Sequence, residues 1–275
     1  LGSVPFIGII GGLGVLLFFV LSGFLITYLL LVEEKTFENI SVRKFYMRRI
    51  LRIWPLYFLI ITLAFLVLPN IELFVLPGFD KATIYSNLIL KLILYAVFLP
   101  NIVLSVLGII PYASHTWSIG TEEQFYLVWP VLLKYFKKYK LALMLFIIVF
   151  YRGFSGFLAT SFANLIPYKK MINTFWATFN INCMAIGGIY AILYFQKSKY
   201  LKILYHSVVF YGAMVLVLLL MIKGVIIPHF HYEGYSILFG IIILNFATNE
   251  KIKISLENKV LNYLGNISYG LYMYH

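Results

Sequence analysis

The chain has 275 residues, of which 62% are hydrophobic and only 12% are charged, and its mean hydropathy is +0.93. Soluble globular domains carry about 25% charged residues, so the composition excludes a soluble domain and predicts a polytopic helical membrane protein. The formal net charge of +12 lies in short clusters between apolar runs. This pattern is typical of topology signals at cytoplasmic helix ends and argues against nucleic-acid binding.

The first predicted span covers residues 5–32, an apolar run long enough to cross a bilayer. Small residues crowd its first half, and Ser22 and Gly23 follow them. Small side chains let a second helix or a ligand approach the backbone closely. We therefore predict that Ser22 and Gly23 lie on a substrate-site wall, with ordinary helix packing as the alternative.

A basic segment, RKFYMRRILR at 43–52, leads directly into the apolar run 53–68. On a helix, Lys44, Arg48 and Arg52 line up at intervals of four, with Arg49 beside them. Guanidinium groups pair bidentately with phosphate oxygens, so this face suits the phosphates of a nucleotide-type cofactor such as coenzyme A. The alternative is a juxtamembrane segment that sets orientation and contacts anionic lipid.

The weaker apolar segment 83–100, interrupted by Asn87 and Lys91, follows a turn-rich loop at 69–80 that we predict to be external. If every basic cluster lies in the cytoplasm, the number of predicted spans is inconsistent with a single crossing of the membrane by 83–100. We therefore favour a re-entrant segment, because irregular backbone at membrane depth is tolerated where it lines a cavity.

The stretch HTWSIGTEEQFYLVWP at 115–130 brings two adjacent carboxylates into an otherwise apolar segment. A carboxylate in the bilayer interior costs at least ~2.5 kcal/mol, so the pair indicates a functional site or, alternatively, an interfacial helix start. With a helix beginning near Ser118 or Gly120, Ser118 and Glu122 share one face. Glu123 points ~100° away, on the neighbouring face with Tyr126.

Further spans are predicted at 141–160, 174–195, 203–227 and 234–248, with another after Leu261. Together they predict an all-α, polytopic transmembrane helical bundle of about eight to ten membrane segments, forming one domain over 1–275. The chain starts at Leu1 without an initiator Met and stops at His275 within an apolar helix. We therefore expect truncation at both ends, with a first helix missing and the last one cut.

Four segments together resemble one known family, the membrane-bound acyltransferase-3 family: GLGVLLFFVLSGFLIT (12–27), RRILRIWPLY (48–57), WSIGTEEQFYLVWP (117–130) and LGNISYGLYMYH (264–275). Their order and spacing match, and the resemblance covers nearly the whole chain. Members of that family move acyl groups, usually acetyl, from cytoplasmic acyl-CoA to sugars or glycans at the outer face of bacterial membranes.

The resemblance implies residue roles. Arg48, Arg49 and Arg52 would meet the CoA phosphates, and the reaction centre would hold Trp117, Ser118, Glu122 and Tyr126. Gly120 stands where the family commonly has Ser, a change that we expect to be tolerated. The family's first helix carries a His taken to be the catalytic base, and that helix would precede Leu1.

Other candidates have weaker signals. His115 is a substitute base, a group that orients Glu122, or simply a hydrogen-bonding loop residue. We expect Glu123 to interact either with the helix N-terminus or with a neighbouring base. His229 and His231 lack a third metal ligand beyond Glu233, so no metal site is predicted.

The sequence thus predicts an integral-membrane O-acyltransferase of the bacterial inner membrane. The donor would be acyl-CoA, most simply acetyl-CoA, with no permanently bound cofactor, and the acceptor a sugar hydroxyl of an extracytoplasmic polysaccharide, lipopolysaccharide or other glycolipid. The alternative is a transporter or flippase for an anionic lipid or polysaccharide unit. The catalytic candidates are Glu122, His115 and Ser118. Those for the donor are Lys44, Arg48, Arg49 and Arg52, and those for the substrate-site wall are Trp117, Glu123, Tyr126, Ser22 and Gly23.

Overall fold

A computed structural model describes residues 5–79, 81–225, 230–252 and 254–274, and the regular structure in those ranges is entirely helical. The all-α prediction is therefore confirmed. The α-helices are α1 (Pro5–Phe37), α2 (Val42–Thr62), α3 (Lys81–Tyr85), α4 (Leu88–Ala96), α5 (Pro100–Val106), α6 (Trp117–Tyr135), α7 (Lys140–Leu158), α8 (Lys169–Thr178), α9 (Ile181–Phe195), α10 (Leu201–Leu204), α11 (Ser207–Ile222), α12 (His231–Thr248) and α13 (Lys259–Tyr274).

Four helical stretches of the described chain are long and apolar enough to cross a membrane, namely Gly11–Phe37, Val42–Asn70, Lys140–Leu158 and Lys169–Phe195. A shorter apolar helix covers Ser207–Ile222. These stretches make the chain a multi-pass membrane protein. The predicted number of eight to ten segments stays a prediction.

The basic segment and the apolar run that follows it form one continuous helical stretch, as predicted. Helix α2 passes through Pro55 and continues as a π-helix over Leu63–Val67 and a 3₁₀ turn over Leu68–Asn70. The π-helical turn widens the end of the span, a feature that recurs at functional sites. The bases of α2 are therefore rigidly joined to a membrane span.

The segment 83–100 is broken into short helices, none of which is long enough to cross a membrane alone. Asn87 and Phe98 have positive φ values of 50° and 59°, which end one helix and start the next. Lys91 is buried, and its Nζ donates to the carbonyl oxygens of Thr83 at 2.9 Å and Ile84 at 3.0 Å. The lysine thus closes the C-terminus of α3, which explains a charge within an apolar segment. The re-entrant arrangement stays a prediction.

The described chain forms two compact units that alternate along the sequence. Unit 1 comprises Leu1–Ile40, Leu132–Gly156 and Asn180–Leu256, and unit 2 comprises Ser41–Val131, Phe157–Phe179 and Glu257–His275. Each unit is assembled from three separate stretches, so neither corresponds to one continuous piece of chain. The single domain over 1–275 stays a prediction.

Helix α1 packs against α9 in unit 1 through glycines that bring the two backbones into contact. A Cβ on Gly23 would lie 2.0 Å from the carbonyl oxygen of Met184, and one on Gly187 would lie 2.0 Å from that of Val20. Gly23 therefore serves helix packing, the alternative stated above, and its place on a substrate-site wall stays a prediction. Ser22 is buried beside it, and its role stays a prediction.

A buried acid in unit 1 has protein partners. Glu233 Oε1 accepts a hydrogen bond from Asn182 Nδ2 at 2.8 Å and lies 3.6 Å from Arg152 Nε. His229, considered with Glu233 for a metal, lies outside the described residues. Within the described ranges, no three His, Cys, Asp or Glu side chains form a group that could hold a metal ion.

Replacing Gly23 by Ala should destabilise the protein, because the added methyl group meets backbone that cannot move aside. Overpacking typically costs about 1–3 kcal/mol. The matched control is Gly212→Ala in α11, where an added Cβ meets nothing within 4 Å and should be neutral or slightly stabilising. Thermal unfolding in detergent measures both variants. Equal unfolding temperatures for the two would contradict the described contact between α1 and α9.

Candidate active site

Helix α6 carries the two acids and begins at Trp117, directly after a 3₁₀ turn over Ser114–Thr116. The helix therefore begins one residue before Ser118 and three before Gly120, the two predicted starts. No acid lies in the first turn of α6. The helix dipole favours negative charge only within the first turn, and Glu122 and Glu123 lie beyond it. Other partners must therefore stabilise the two carboxylates.

A cavity of about 230 Å³ lies in unit 2 between α2, α6 and the turn before α5. Its wall is mostly apolar but includes one cation, one carboxylate and one amide. The lining residues are Tyr46, Arg49, Ile50, Trp54, Val97, Phe98, Glu123, Gln124, Tyr126 and Leu127. Tyr126 and Glu123 thus lie on the wall of this cavity and Trp117 does not, while the assignment of these residues to a substrate-site wall stays a prediction.

The predicted row of bases divides into two groups. Lys44, Arg48 and Arg52 are exposed, while Arg49 is half-buried and lines the cavity. The Arg49 guanidinium carbon lies 5.7 Å from the centre of the Phe45 ring and 5.6 Å from that of Tyr126. Two aromatic faces therefore hold this cation by cation–π attraction.

Glu123 is the carboxylate of the cavity. Its Oε2 accepts a hydrogen bond from Trp54 Nε1 at 3.3 Å, and it lies within electrostatic range of Arg49. Its Oε1 is buried, as is Arg49 Nε, and neither atom has a hydrogen-bond partner among the described residues. Within the described chain, a buried donor and a buried acceptor thus lie without hydrogen-bond partners on two residues of the cavity wall.

Glu122 occupies a different environment. It is 5% exposed and accepts a hydrogen bond from the Tyr126 hydroxyl, and it lies within electrostatic range of Tyr269 and Tyr272 in α13. Ser118 shares this environment through its contact with Tyr272. The predicted common face of Ser118 and Glu122 is therefore correct, and neither residue lines the cavity described here. That face meets the tyrosines of α13.

His115 lies close to Ser118, as a shared role requires. The Tyr272 hydroxyl donates to the His115 carbonyl oxygen at 2.7 Å, and the two rings meet edge to face, 5.6 Å apart. Whether the His115 imidazole serves as a base or orients Glu122 stays a prediction. His275, the last residue of the fourth motif, lies outside the described residues.

Several residues of this site were missed at the level of sequence, although the quoted motifs contain them. Trp54 lies in the second motif, and Tyr269 and Tyr272 lie in the fourth. All three use an N–H or O–H group to fix a neighbour. Aromatic residues are so frequent in this chain, at 19%, that composition does not single them out.

Gly120 lets α6 approach the turn that forms one wall of the cavity. A Cβ on Gly120 would lie 2.5 Å from Pro100 Cδ and 3.1 Å from the carbonyl oxygen of Phe98. Gln124 Nε2, one turn later, donates to the same Phe98 oxygen at 3.0 Å. Glycine at this position is therefore tied to the placement of Phe98, and a serine would not fit this arrangement without a shift.

Comparison with known proteins identifies a family and several proteins to which the chain is similar. The family described as an acyltransferase domain matches residues 2–275. A protein of Acidianus two-tailed virus, provisionally named an acetyltransferase, is 30% identical over 273 residues, which cover 96% of this chain and 72% of that protein. O-acetyltransferase OatA of Staphylococcus aureus is 28% identical over 96% of this chain and 45% of its own length. Peptidoglycan O-acetyltransferase OatA of Listeria monocytogenes is 28% identical over 47% of this chain and 21% of its own length. No solved structure matches.

Replacing Gly120 by Ser should lower stability, because the new side chain meets a proline ring and a backbone oxygen. We expect a loss of about 1–3 kcal/mol, the usual range for overpacking. Gly153→Ser in α7, where an added Cβ meets nothing within 4 Å, is the matched control. Thermal unfolding in detergent reports the difference, and a Gly120→Ser protein as stable as the control would show that α6 does not need this close approach.

Proposed function

Since the chain belongs to the acyltransferase domain family, we propose that this acyltransferase moves an acyl group, most simply acetyl, from cytoplasmic acyl-CoA to a sugar hydroxyl of an extracytoplasmic polysaccharide or glycolipid. The observation that carries the proposal is the cavity in unit 2, whose wall holds a half-buried cation of α2 and a carboxylate of α6, next to a row of exposed basic residues on α2. The names of the OatA relatives, which are O-acetyltransferases, support the choice of acetyl and of a glycan.

The size of the cavity favours a division of the donor between two places. Pockets for drug-sized ligands measure about 300–1,000 Å³, and acyl-CoA is larger than such ligands, so a cavity of about 230 Å³ has room only for its thioester end. The nucleotide end would then lie outside, along Lys44, Arg48 and Arg52. Successive members of this row are about 6 Å apart along the helix axis, which allows several phosphate oxygens to be bound at once.

The chemistry that this arrangement supports is a direct transfer. The sugar hydroxyl loses its proton to a base and attacks the thioester carbonyl carbon, the C–S bond breaks, and CoA leaves as its thiolate. Negative charge develops on the carbonyl oxygen and then on the sulfur. Arg49, held between two aromatic rings in an apolar cavity, is placed to stabilise that charge, and a fixed cation acts more strongly there than in water.

We assign the acceptor side of the reaction to the cluster of Glu122, Ser118 and His115. Tyr126 connects this cluster with the cavity, because its ring lines the cavity and its hydroxyl donates to Glu122. A donor in the cavity and an acceptor beside Glu122 would therefore meet at Tyr126. Holding both reactants in one orientation can supply about 7 kcal/mol or more of the required barrier reduction.

The transporter alternative has less support, because the family to which the chain belongs is an acyltransferase family. A membrane location suits the transfer, since acyl-CoA is made in the cytoplasm and the proposed acceptor is outside. We therefore propose the bacterial cytoplasmic membrane as the location.

Replacing Arg48 and Arg52 together by Ala should weaken CoA binding about a hundredfold or more, since each lost hydrogen bond to a charged group costs about 1.5–3 kcal/mol. The matched control is the double variant Lys138→Ala with Lys202→Ala, which removes two exposed positive charges from unit 1. Calorimetric titration of the detergent-solubilised full-length protein with acetyl-CoA measures the affinity. Equal affinities of the two double variants would rule out the exposed row as the nucleotide site.

Replacing each of the two acids by Gln should have a different effect, on stability for Glu123 and on transfer activity for Glu122. Glu123→Gln should lower the unfolding temperature, because Arg49 then stays buried without its neighbouring negative charge. Glu122→Gln should leave the unfolding temperature near that of the wild type but reduce transfer about a hundredfold or more, the range for a lost acid–base group.

The readouts for both acids are thermal unfolding and the yield of acetylated glycan, determined by mass spectrometry on cells with equal protein levels. Glu250→Gln, at an exposed position of unit 1, controls for the loss of one carboxylate. A wild-type yield of acetylated glycan from Glu122→Gln would show that Glu122 does not take part in the transfer.

A further inference from the structure

Two tyrosines of α13 each reach a different helix of unit 2. The Tyr269 hydroxyl donates to the carbonyl oxygen of Ile53 in α2 at 3.0 Å. The Tyr272 hydroxyl donates to the carbonyl oxygen of His115 at 2.7 Å and contacts the Ser118 hydroxyl at the start of α6. Because the tyrosines are three residues apart, they lie on one face of α13.

The points that they contact are next to the groups proposed to act in the transfer. Ile53 is adjacent to Arg52 and one helical turn beyond Arg49. Ser118 lies one turn before Glu122 on the same face of α6. Tyr269 is also within electrostatic range of Arg52, Glu122 and Glu123. The α13 face therefore meets both the helix that carries the bases and the helix that carries the acids.

The other tyrosines of α13 provide a contrast within one helix. Tyr263 and Tyr274 are 64% and 63% exposed, whereas Tyr269 and Tyr272 are half-buried and hydrogen-bonded. A carbonyl oxygen in a helix has a second lone pair that can accept such a bond without loss of the helical one. The two bonded hydroxyls thus tie three helices together while leaving each helix intact.

We propose that Tyr269 and Tyr272 are positioning residues of the transfer reaction: Tyr269 fixes the turn of α2 that holds the donor, and Tyr272 fixes the start of α6 that holds the acceptor cluster. This inference rests on the proposed acyl transfer. It gives a role to the fourth motif, 264–275, which the proposed function alone leaves unexplained.

The two tyrosines position the binding sites of different substrates, Tyr269 that of the donor and Tyr272 that of the acceptor. Their loss should therefore affect different kinetic constants. Tyr269→Phe should raise KM for acetyl-CoA about twofold to tenfold, the factor expected for one hydrogen bond, with the maximal rate nearly unchanged. Tyr272→Phe should lower the maximal rate by a similar factor with KM for acetyl-CoA unchanged. A tyrosine that only supports folding would lower the amount of protein without separating the two constants.

The assay uses inverted membrane vesicles that contain the full-length protein, supplied with radiolabelled acetyl-CoA, and follows label entering glycan per amount of protein. Tyr263→Phe and Tyr274→Phe are the matched controls. A double-mutant cycle between Tyr272→Phe and Ser118→Ala, measured by thermal unfolding, tests their contact without any activity. The double variant should be little less stable than the more damaged single variant.

The inference is overturned if Tyr269→Phe and Tyr272→Phe show the kinetic constants of the two controls, or if the Ser118 and Tyr272 effects are simply additive. Failure of the proposed function looks different. In that case wild-type vesicles transfer no label, whereas the unfolding cycle still reports whether Tyr272 holds Ser118.

Discussion

The arrangement of the site depends on Tyr126, which stands between a cation and a carboxylate. The face of its ring attracts the Arg49 guanidinium, and its hydroxyl donates to Glu122. One neutral side chain thus provides a partner for each of two opposite charges, which would otherwise need water. It does so within a mostly apolar wall. Since a charge in such surroundings is costly without partners, the positions of α2 and α6 are both constrained by this one residue.

Charges elsewhere in the described chain follow the same rule. Lys91 is surrounded by carbonyl oxygens of α3, and Glu233 is met by Asn182 and Arg152. Lys140 contacts Glu34 near the ends of α7 and α1. An ionisable residue in an apolar segment is therefore not by itself a sign of catalysis. Arg49 and Glu123 line a cavity, and each of them, like Glu233, keeps a buried polar atom without a hydrogen-bond partner among the described residues.

The helices were largely predictable because long apolar runs and basic clusters are strong signals. The run 5–32 is part of α1, and the predicted start of α6 lies within three residues of the observed one. Helical phase also put Ser118 and Glu122 on one face correctly. Phase alone does not say which neighbour a face meets, and the neighbour here, α13, lies about 150 residues away in sequence. For the same reason the sequence did not separate Arg49 from the exposed Arg48 and Arg52.

The close packing of α1 against α9 at Gly23 and Gly187 has a consequence for synthesis of the protein. The two glycines are separated by 164 residues, and a ribosome adds about 5–20 residues per second. Helix α1 therefore enters the membrane on the order of ten seconds or more before its packing partner exists. During that interval its small-residue surface is open to lipid or to the insertion machinery. A partner that shields this surface during insertion would protect the nascent chain from pairing with the wrong helix.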